Sequence, residues 1–483
     1  MKILIIAVGL FTSFAAGAQD SLSHYLSLAA KNNPVVLQKY NEYQAALQKV
    51  PQAGSLPDPE LSMGVFLSPM ELVNGNQVAD LRLMQMFPWF GTLRAARDEM
   101  SLMANARYET FRDANLQVFY EVQSTWYDLY KVRQNIILSE ENIDILRTIE
   151  RLALVKFRTA PSGNSTSSSS GNAMSAGVSQ SSTGGSQAMG TMSGNAGNNA
   201  DAVPQNQTPQ SMQVNSMGVA ASGSSLADLY RIQIEMGELE NNTSLLKNKQ
   251  NTLLAQFNGY LNRPVLTPVS LPDSLLVDTL DIQLEAISDS MLMYNPMLGM
   301  LRYEQQSLDS RKKMVTKMGY PMIGLGLNYS VINKNEMSTS AMNGKDMVMP
   351  MITMTLPVYR KKYKAMQTEA DLLKAATTQN YMASANVLKT EFYQAVQLYQ
   401  DAKRRITLYA GQSMLAGKSL DIMIKNYAAS GSGLTDILRV RQQTLDYEYK
   451  KVEAVADLNT AIAWLKKLGC LETVAGSNPS SGP

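Results

Sequence analysis

Residues 92–160 form a run of 69 positions that contains neither glycine nor proline. Apolar side chains such as Leu116, Phe119 and Val122 recur at spacings of three and four, with charged residues between them. This pattern predicts one continuous amphipathic helix. At a rise of 1.5 Å per residue it would span about 100 Å, whereas an average helix has about 11–12 residues. Helices of this length form coiled coils or helical tubes and not the core of an ordinary globule.

Several motifs occur twice in the chain at a fixed distance. The Asn-Pro pair at 33–34 recurs at 295–296, an offset of 262 residues, and Pro59 recurs as Pro321 at the same offset. A fixed offset over different motifs indicates an internal duplication. The chain is therefore predicted to be two copies of one structural unit.

Each half contains the same order of predicted parts: a helical segment, two short strands around a loop, a very long helix and a last helix. We place the first repeat at 19–265, a linker at 266–280 and the second repeat at 281–470. The parts of the first repeat are a helical segment at 21–50, a β-hairpin at about 57–88, the long helix 92–160 and a last helix at 224–262. Those of the second are a helical segment at 281–318, a β-hairpin at about 321–357, a long helix at 358–429 and a last helix at 433–468.

Three segments are predicted to lie outside the folded repeats. Residues 1–18 have a positive start, an apolar stretch and a small-x-small ending, so they predict a signal peptide, and no cysteine follows that could carry a lipid. Residues 161–223 interrupt the first repeat with 15 Ser, 10 Gly and a single charge, a composition that predicts disorder. The tail 471–483 is also predicted to be disordered.

The predicted strands alternate between apolar and small or polar residues. Ile323, Leu325 and Leu327 alternate with glycines and Asn328, and Ile352 lies on the apolar side of the return strand. Strands of about 10 residues with this alternation suit an outer-membrane barrel. Four strands are too few to close one, so several chains would have to share it. The alternative is a soluble sheet half-buried against helices.

The composition excludes several classes of protein. A net charge of +2 argues against a nucleic-acid-binding protein, because phosphate binding requires a cationic excess. One cysteine, Cys470, and one histidine, His24, exclude a disulfide framework and Cys- or His-rich metal sites. No nucleophile-elbow, Walker, zincin or dinucleotide-binding motif occurs in a usable context, so we predict neither an enzyme nor a cofactor.

The order of these motifs resembles the outer-membrane efflux protein family, the TolC-like channel-tunnels. The resemblance rests on the Asn-Pro pairs, Phe87-Pro88-Trp89-Phe90-Gly91, and Thr355 through Tyr359. It implies a mainly α fold with two β-hairpins per chain, in which a homotrimer builds a 12-stranded β-barrel in the outer-membrane lipid and a helical tunnel in the periplasm. It also implies two protein partners, a periplasmic adaptor (membrane fusion protein) and an inner-membrane pump.

The resemblance further implies a gate at the periplasmic tip, where the long helix turns into the last helix. Residues 226–231 match 434–439 at an offset of 208, which places Asp228 and Asp436 just beyond the two tip turns. A ring of such carboxylates could attract cations, and Arg439 would partly neutralise it. Alternatively, the two aspartates only stabilise the starts of their helices.

The chain has 30 methionines. Thioether sulfur is a soft ligand suited to Cu(I) or Ag(I), which favours a heavy-metal, CusC-like branch of the family. The candidate contacts lie in the insert and on the last strand: Met174, Met189, Met192, Met212, Met217, Met347, Met349 and Met351. A general composition bias would produce the same pattern, and no metal site is assigned with certainty.

The function predicted on this basis is a passive export duct of a tripartite efflux system, with Cu(I) or Ag(I) as the substrate. A channel for drugs and other organic solutes is the alternative within the same family. A coiled-coil surface stalk or adhesin is disfavoured by the paired hairpins, and a periplasmic adaptor by the lack of a strand-rich half.

Overall fold

The structure is a computed structural model that describes residues 22–72, 74–159, 224–275, 284–430 and 433–470. The predicted signal peptide, the insert 161–223 and the tail 471–483 lie outside these ranges. So do the last residues of the predicted linker.

The described residues form eight helices and four strands. The first half contains α1 (Leu22–Asn32), α2 (Pro34–Gly54), β1 (Glu60–Leu72), β2 (Gly75–Phe87), α3 (Thr92–Thr159) and α4 (Ser224–Tyr260). The second half contains α5 (Leu284–Tyr294), α6 (Pro296–Met318), β3 (Met322–Asn333), β4 (Met347–Thr355), α7 (Arg360–Ser430) and α8 (Leu434–Leu468). Both halves thus have the order helix, helix, strand, strand, long helix, last helix.

Each half begins with two helices and not with the single helical segment that its sequence predicts. The break falls at the Asn-Pro pairs, because proline lacks an N–H and biases the residue before it away from the helical region. Asn33 has an extended backbone, and its Oδ1 accepts hydrogen bonds from the N–H groups of Val35 and Val36. Asn295 caps α6 in the same way.

The four strands form one antiparallel sheet in the order β1-β2-β3-β4. The two predicted hairpins are joined by pairing between β2 and β3, which runs from Asn76 opposite Asn333 to Phe87 opposite Ile323. β1 and β4 are the two outer strands of this sheet. The sheet therefore unites the two halves of the chain.

The two long helices exceed ordinary domain dimensions. α3 has 68 residues and α7 has 71, which correspond to about 100 Å each at 1.5 Å per residue. α7 packs along α8, with Arg405 Nη2 2.7 Å from Asp457 Oδ2 and the rings of Tyr409 and Tyr447 stacked. Among the described residues, no helix combines the length and the apolar character needed to cross a bilayer.

Contacts divide the chain into two compact units that do not follow the two repeats. The larger consists of Met1–Leu146 and Glu235–Pro483, and the smaller of Arg147–Ile234. A core cluster in the larger unit includes Tyr25 and Phe257, whose rings meet edge to face at 5.2 Å. In the smaller unit, Gln233 Nε2 donates a hydrogen bond to Glu150 Oε1.

Candidate channel wall and helix-turn site

One face of the four-stranded sheet is almost wholly apolar. Residues directly opposite in an antiparallel pair lie on the same face, so the register assigns each side chain to a face. The apolar face consists of Leu61, Met63, Val65, Ala79, Leu81, Leu83, Phe87, Ile323, Leu325, Leu327, Tyr329, Val331, Val348, Ile352 and Met354, with Gln85 and Pro350 in the same rows.

The opposite face is polar or small, apart from its methionines. It consists of Glu60, Ser62, Gly64, Asp80, Arg82, Met84, Met86, Met322, Gly324, Gly326, Asn328, Ser330, Met347, Met349, Met351, Thr353 and Thr355. The Nε of Arg82 and the Oδ1 of Asn328, which are opposite each other, are buried without a hydrogen-bond partner.

The exposure of the two faces is the reverse of that in a water-soluble sheet. On the apolar face, Leu61 is 70% exposed and Ile352 is 78% exposed. On the polar face, Gly324 is buried and Met84 and Met86 are half-buried. An exposed apolar face of this extent marks a surface that contacts another protein or a membrane. Strands of 9 to 13 residues have the length that crosses a bilayer when they are tilted.

Aromatic side chains lie at both ends of the apolar face. Trp89 stacks on Tyr320 at 5.3 Å at the end nearest the helices, where Phe90 and Tyr359 are exposed. Tyr329 lies six residues further along β3 than Ile323, which corresponds to about 20 Å. Its hydroxyl donates to Asp346 at 2.5 Å. Aromatic residues at both borders of an apolar band are typical of membrane barrels.

A tight turn joins β1 to β2 and brings the second half of the chain close. Gly75 has φ = +126°, and a Cβ built there would lie 2.4 Å from the carbonyl oxygen of Asn333 and 2.7 Å from a methyl group of Ile332. Only glycine can meet both conditions. The loop after β3 is held to this turn by the bond from Ser340 Oγ to Asn74 Oδ1.

The predicted soft-metal contacts fall into two groups. Met347, Met349 and Met351 are described and alternate along β4, so all three lie on the polar face. The five methionines of the insert, Met174, Met189, Met192, Met212 and Met217, lie outside the described residues. Met84 and Met86 of β2 were not among the predicted soft-metal contacts, although both lie on the same face as Met351.

The predicted gate residue Asp436 lies in the first turn of α8. The helix begins after Gly433, which has φ = +96° and offers no side-chain cap. Asp436 Oδ1 is 3.7 Å from Arg439 Nη1, and both side chains are more than half exposed. A carboxylate here interacts favourably with the positive end of the helix dipole, and it carries a solvent-accessible charge. This geometry is compatible with both the cap and the gate.

Asp228 belongs to the smaller unit, near the start of α4. Burial raises the pKa of this carboxyl above its usual range, and the positive charge of Arg231 opposes the shift. Both predicted gate aspartates thus have an arginine three residues later, Arg231 and Arg439.

A buried polar cluster between α3 and α8 was not predicted. Arg441 Nε donates a hydrogen bond to Asn142 Oδ1, and both residues are almost fully buried. Burial lowers the pKa of Arg441, while the carboxylates of Glu448 and Glu141 oppose that change. Burial also raises the pKa of Glu448. The sequence offered no signal for this contact, because its partners are 299 residues apart.

A cavity of about 390 Å³ lies among α3, α6, α7 and α8. Its lining includes Asp113, Glu391 and Lys467. Burial raises the pKa of Asp113, and Lys467 opposes the shift. Lys467 Nζ also donates to Gln117 Oε1 at 2.5 Å and lies over the ring of Tyr120. The ammonium group is thus held by the protein's own side chains, which indicates a structural role.

The described part of the chain gives no support for a site that binds hard or borderline metal ions. Within it, no group of three or more His, Cys, Asp or Glu side chains is arranged to hold a metal ion. His24 is exposed next to Tyr25. Burial raises the pKa of the Cys470 thiol to about 11, which disfavours the thiolate that metals bind.

The chain is similar in structure to several solved outer-membrane channels. The Campylobacter jejuni CmeC outer membrane channel has a TM-score of 0.68 and 14% identity over 93% of this chain and 85% of that chain. A structure of CusC has a TM-score of 0.68 and 10% identity over 93% of this chain and 92% of that chain. The open state of the Neisseria gonorrhoeae MtrE outer membrane channel has a TM-score of 0.66 and 14% identity over 93% of this chain and 88% of that chain.

No family model and no curated protein sequence matches the chain. The structural likeness nevertheless covers nearly the whole chain and both of its halves. It confirms the predicted fold, which is mainly helical with a small antiparallel sheet, and the resemblance to TolC-like channels at the level of the fold.

Proposed function

We propose that the chain is one subunit of an outer-membrane export channel, a passive duct from the periplasm to the exterior in an efflux system. The observation that carries the proposal is the four-stranded sheet with an exposed apolar face and a polar opposite face. Such a sheet is stable when lipid covers the first face and water or polar groups cover the second.

The two outer strands indicate how the duct is assembled. β1 and β4 each have one edge free of partners within the described sheet, and open edges are not tolerated in the hydrocarbon region. Pairing of β1 with β4 of a neighbouring copy removes every such edge. Three copies would give a barrel of twelve strands, and their long helices would form a tunnel of about 100 Å across the periplasm.

Transport through such a duct requires partners, because a passive channel supplies no energy. A pump in the inner membrane provides the driving force, and a periplasmic adaptor opens the tip by binding the open state more tightly than the closed one. We propose that the gate lies at the start of α8, where Asp436 and Arg439 are exposed, and at the corresponding position of Asp228.

The substrate we propose is Cu(I) or Ag(I). Supporting this, Met347, Met349 and Met351 lie on the polar face of β4, where apolar packing gives no reason for them. Thioethers bind soft monovalent cations. CusC is among the structurally similar proteins, although its fold is shared with the other channels. Organic solutes are the competing substrate class.

A gene deletion tests both levels of the proposal. Membranes of wild-type cells are fractionated to locate the protein, and the deletion strain is challenged with copper, silver, zinc, hydrophobic drugs and detergents. We expect the protein in the outer membrane and a selective sensitivity to copper and silver. Sensitivity to drugs and detergents alone would support the proposed channel and contradict Cu(I) or Ag(I) as its substrate. A protein outside the outer membrane would contradict the channel.

A further inference from the structure

Two glycines of β3 leave a shallow space on the polar face of the sheet. Gly326 is opposite Met84 on one side and Met351 on the other, and Gly324 is opposite Met86. These two glycines follow one another on the same face of β3, about 7 Å apart. The space above them is therefore bordered by methionines from β2 and β4.

The three methionine side chains occupy this space. A Cβ built on Gly326 would lie 3.6 Å from the Cε of Met84 and 3.7 Å from the Cε of Met351. A Cβ built on Gly324 would lie 2.5 Å from the Sδ of Met86. All three side chains are half-buried. The methyl ends of Met84 and Met351 thus meet over Gly326, and the sulfur of Met86 lies over the neighbouring Gly324.

We propose that Met84, Met86 and Met351 form a binding site for Ag(I) or Cu(I) on the wall of the duct. Neutral thioether ligands suit a soft monovalent ion and not Zn²⁺ or Ca²⁺. Of the charged side chains on this face, Glu60 is opposite Met84, and Arg82 is two residues before it. The inference rests on the proposed function, in which this face lines the water-filled path, and it identifies where the exported ion binds.

The site is distinct from the methionines of the apolar face. Met63 and Met354 lie on the same sheet but on the apolar face, where lipid would cover them. Methionine has three rotatable side-chain bonds, and rotation about them turns the sulfurs of Met84 and Met351 toward the space that their methyl groups now fill. Flexible coordination of this kind also suits a path that must release its ion.

Oxidation of individual methionines measures the site directly. The purified full-length protein in detergent is exposed to a low dose of hydrogen peroxide, with and without silver nitrate in chloride-free buffer. Sulfoxide formation at each methionine is then quantified by peptide mass spectrometry. Bound Ag(I) occupies the sulfur lone pair, so at about ten times the dissociation constant oxidation should slow about tenfold at Met84, Met86 and Met351. The oxidation rates of Met63 and Met354 in the same sample should change little when silver is added.

Two double variants provide the matched control. M84L/M351L removes two ligands with little change in volume, and M63L/M354L makes the same change on the apolar face. We expect silver to protect Met86 in the control variant and not in M84L/M351L. Equal protection of Met86 in both variants, or no protection of the three methionines in the wild type, would overturn the site. The location of the protein and its conductance in lipid test the channel separately, so failure of the site leaves the channel standing.

Discussion

Asn33 and Asn295 are capping residues of the same geometry in the two halves of the chain. Each side-chain Oδ1 accepts a hydrogen bond of 2.9 Å from the backbone N–H two residues later, at Val35 and Met297. Asn33 also donates from Nδ2 to the carbonyl of Tyr260, at the end of α4. The duplicated Asn-Pro pair thus starts α2 and α6 in the same manner.

Loss of either cap should destabilise the protein. We expect Asn33→Ala and Asn295→Ala each to lower the free energy of unfolding by about 1 kcal/mol, because two helix N–H groups lose their acceptor. Asn295→Asp retains that acceptor and serves as the control, whereas Asn33→Asp would also lose the donor to Tyr260. Thermal unfolding in detergent, followed by circular dichroism, measures the effect. Equal stability of Asn295→Ala and Asn295→Asp would show that the cap contributes nothing.

Glu448 should make stability depend on pH. Burial raises the pKa of its carboxyl above the ordinary value of 4.5, Arg441 lowers it, and the charge of Glu141 raises it further. The folded protein therefore holds this proton more tightly than the unfolded chain. The stability associated with the group is present below about pH 4.5 and is lost as the pH rises through the raised pKa.

Glu448→Gln should remove this dependence. Relative to the wild type, we expect the variant to gain stability at pH 7 and to gain little at pH 4. The exposed Glu453 on the same helix gives the control, Glu453→Gln, whose melting temperature should follow that of the wild type at both values. If the melting temperatures of Glu448→Gln and the wild type follow parallel curves from pH 4 to pH 8, Glu448 is not the source of the pH dependence.

Asp436 distinguishes a gate from a helix cap. Asp436→Ala should change the ratio of cation to anion permeability of the reconstituted channel, and Arg439→Ala should change it in the opposite direction. Because the ion pair is exposed, each replacement should change the free energy of unfolding by less than about 1 kcal/mol.

The matched control for the gate is Asp446→Ala. Asp446 lies on the same helix, is about half exposed and pairs with Lys450 at 2.6 Å. Its replacement should leave the permeability ratio unchanged. If Asp436→Ala behaves like this control, the carboxylate acts only on its own helix.

The insert 161–223 should be dispensable for assembly. The corresponding segment of the second half is only Ala428-Ala429-Ser430-Gly431-Ser432. We expect a chain in which these five residues replace the insert to form the same oligomer, as measured by light scattering in detergent. A monomeric product would show that the insert has a structural role.

The positions of glycine and proline and the alternation of apolar residues allowed much of the fold to be predicted. Runs without glycine or proline indicated the long helices, and α3 ends at Thr159, one residue from the predicted 160. Period-2 alternation assigned Ile352 to the apolar side of the return strand, and the register places it on that face. Both signals are local, since helix and strand periodicity depend only on neighbouring residues.

Contacts between distant segments could not be predicted in the same way. The pairing of β2 with β3 sets the register that brings Met84 and Met351 to either side of Gly326. A shift of one residue would move Met84 to the other face, and no local pattern fixes that choice across the long segment between the strands. Arg441 and Asn142 likewise come together only because α3 and α8 pack side by side.

Conductance in a planar lipid bilayer shows whether the protein is a channel. The full-length protein is purified in detergent, its oligomeric state is determined, and it is added to one side of the membrane. We expect a trimer that inserts and gives discrete, reproducible conductance steps, which are absent after heat denaturation. A stable monomer, or a trimer that inserts without conducting even when Asp436 is replaced by alanine, would contradict it.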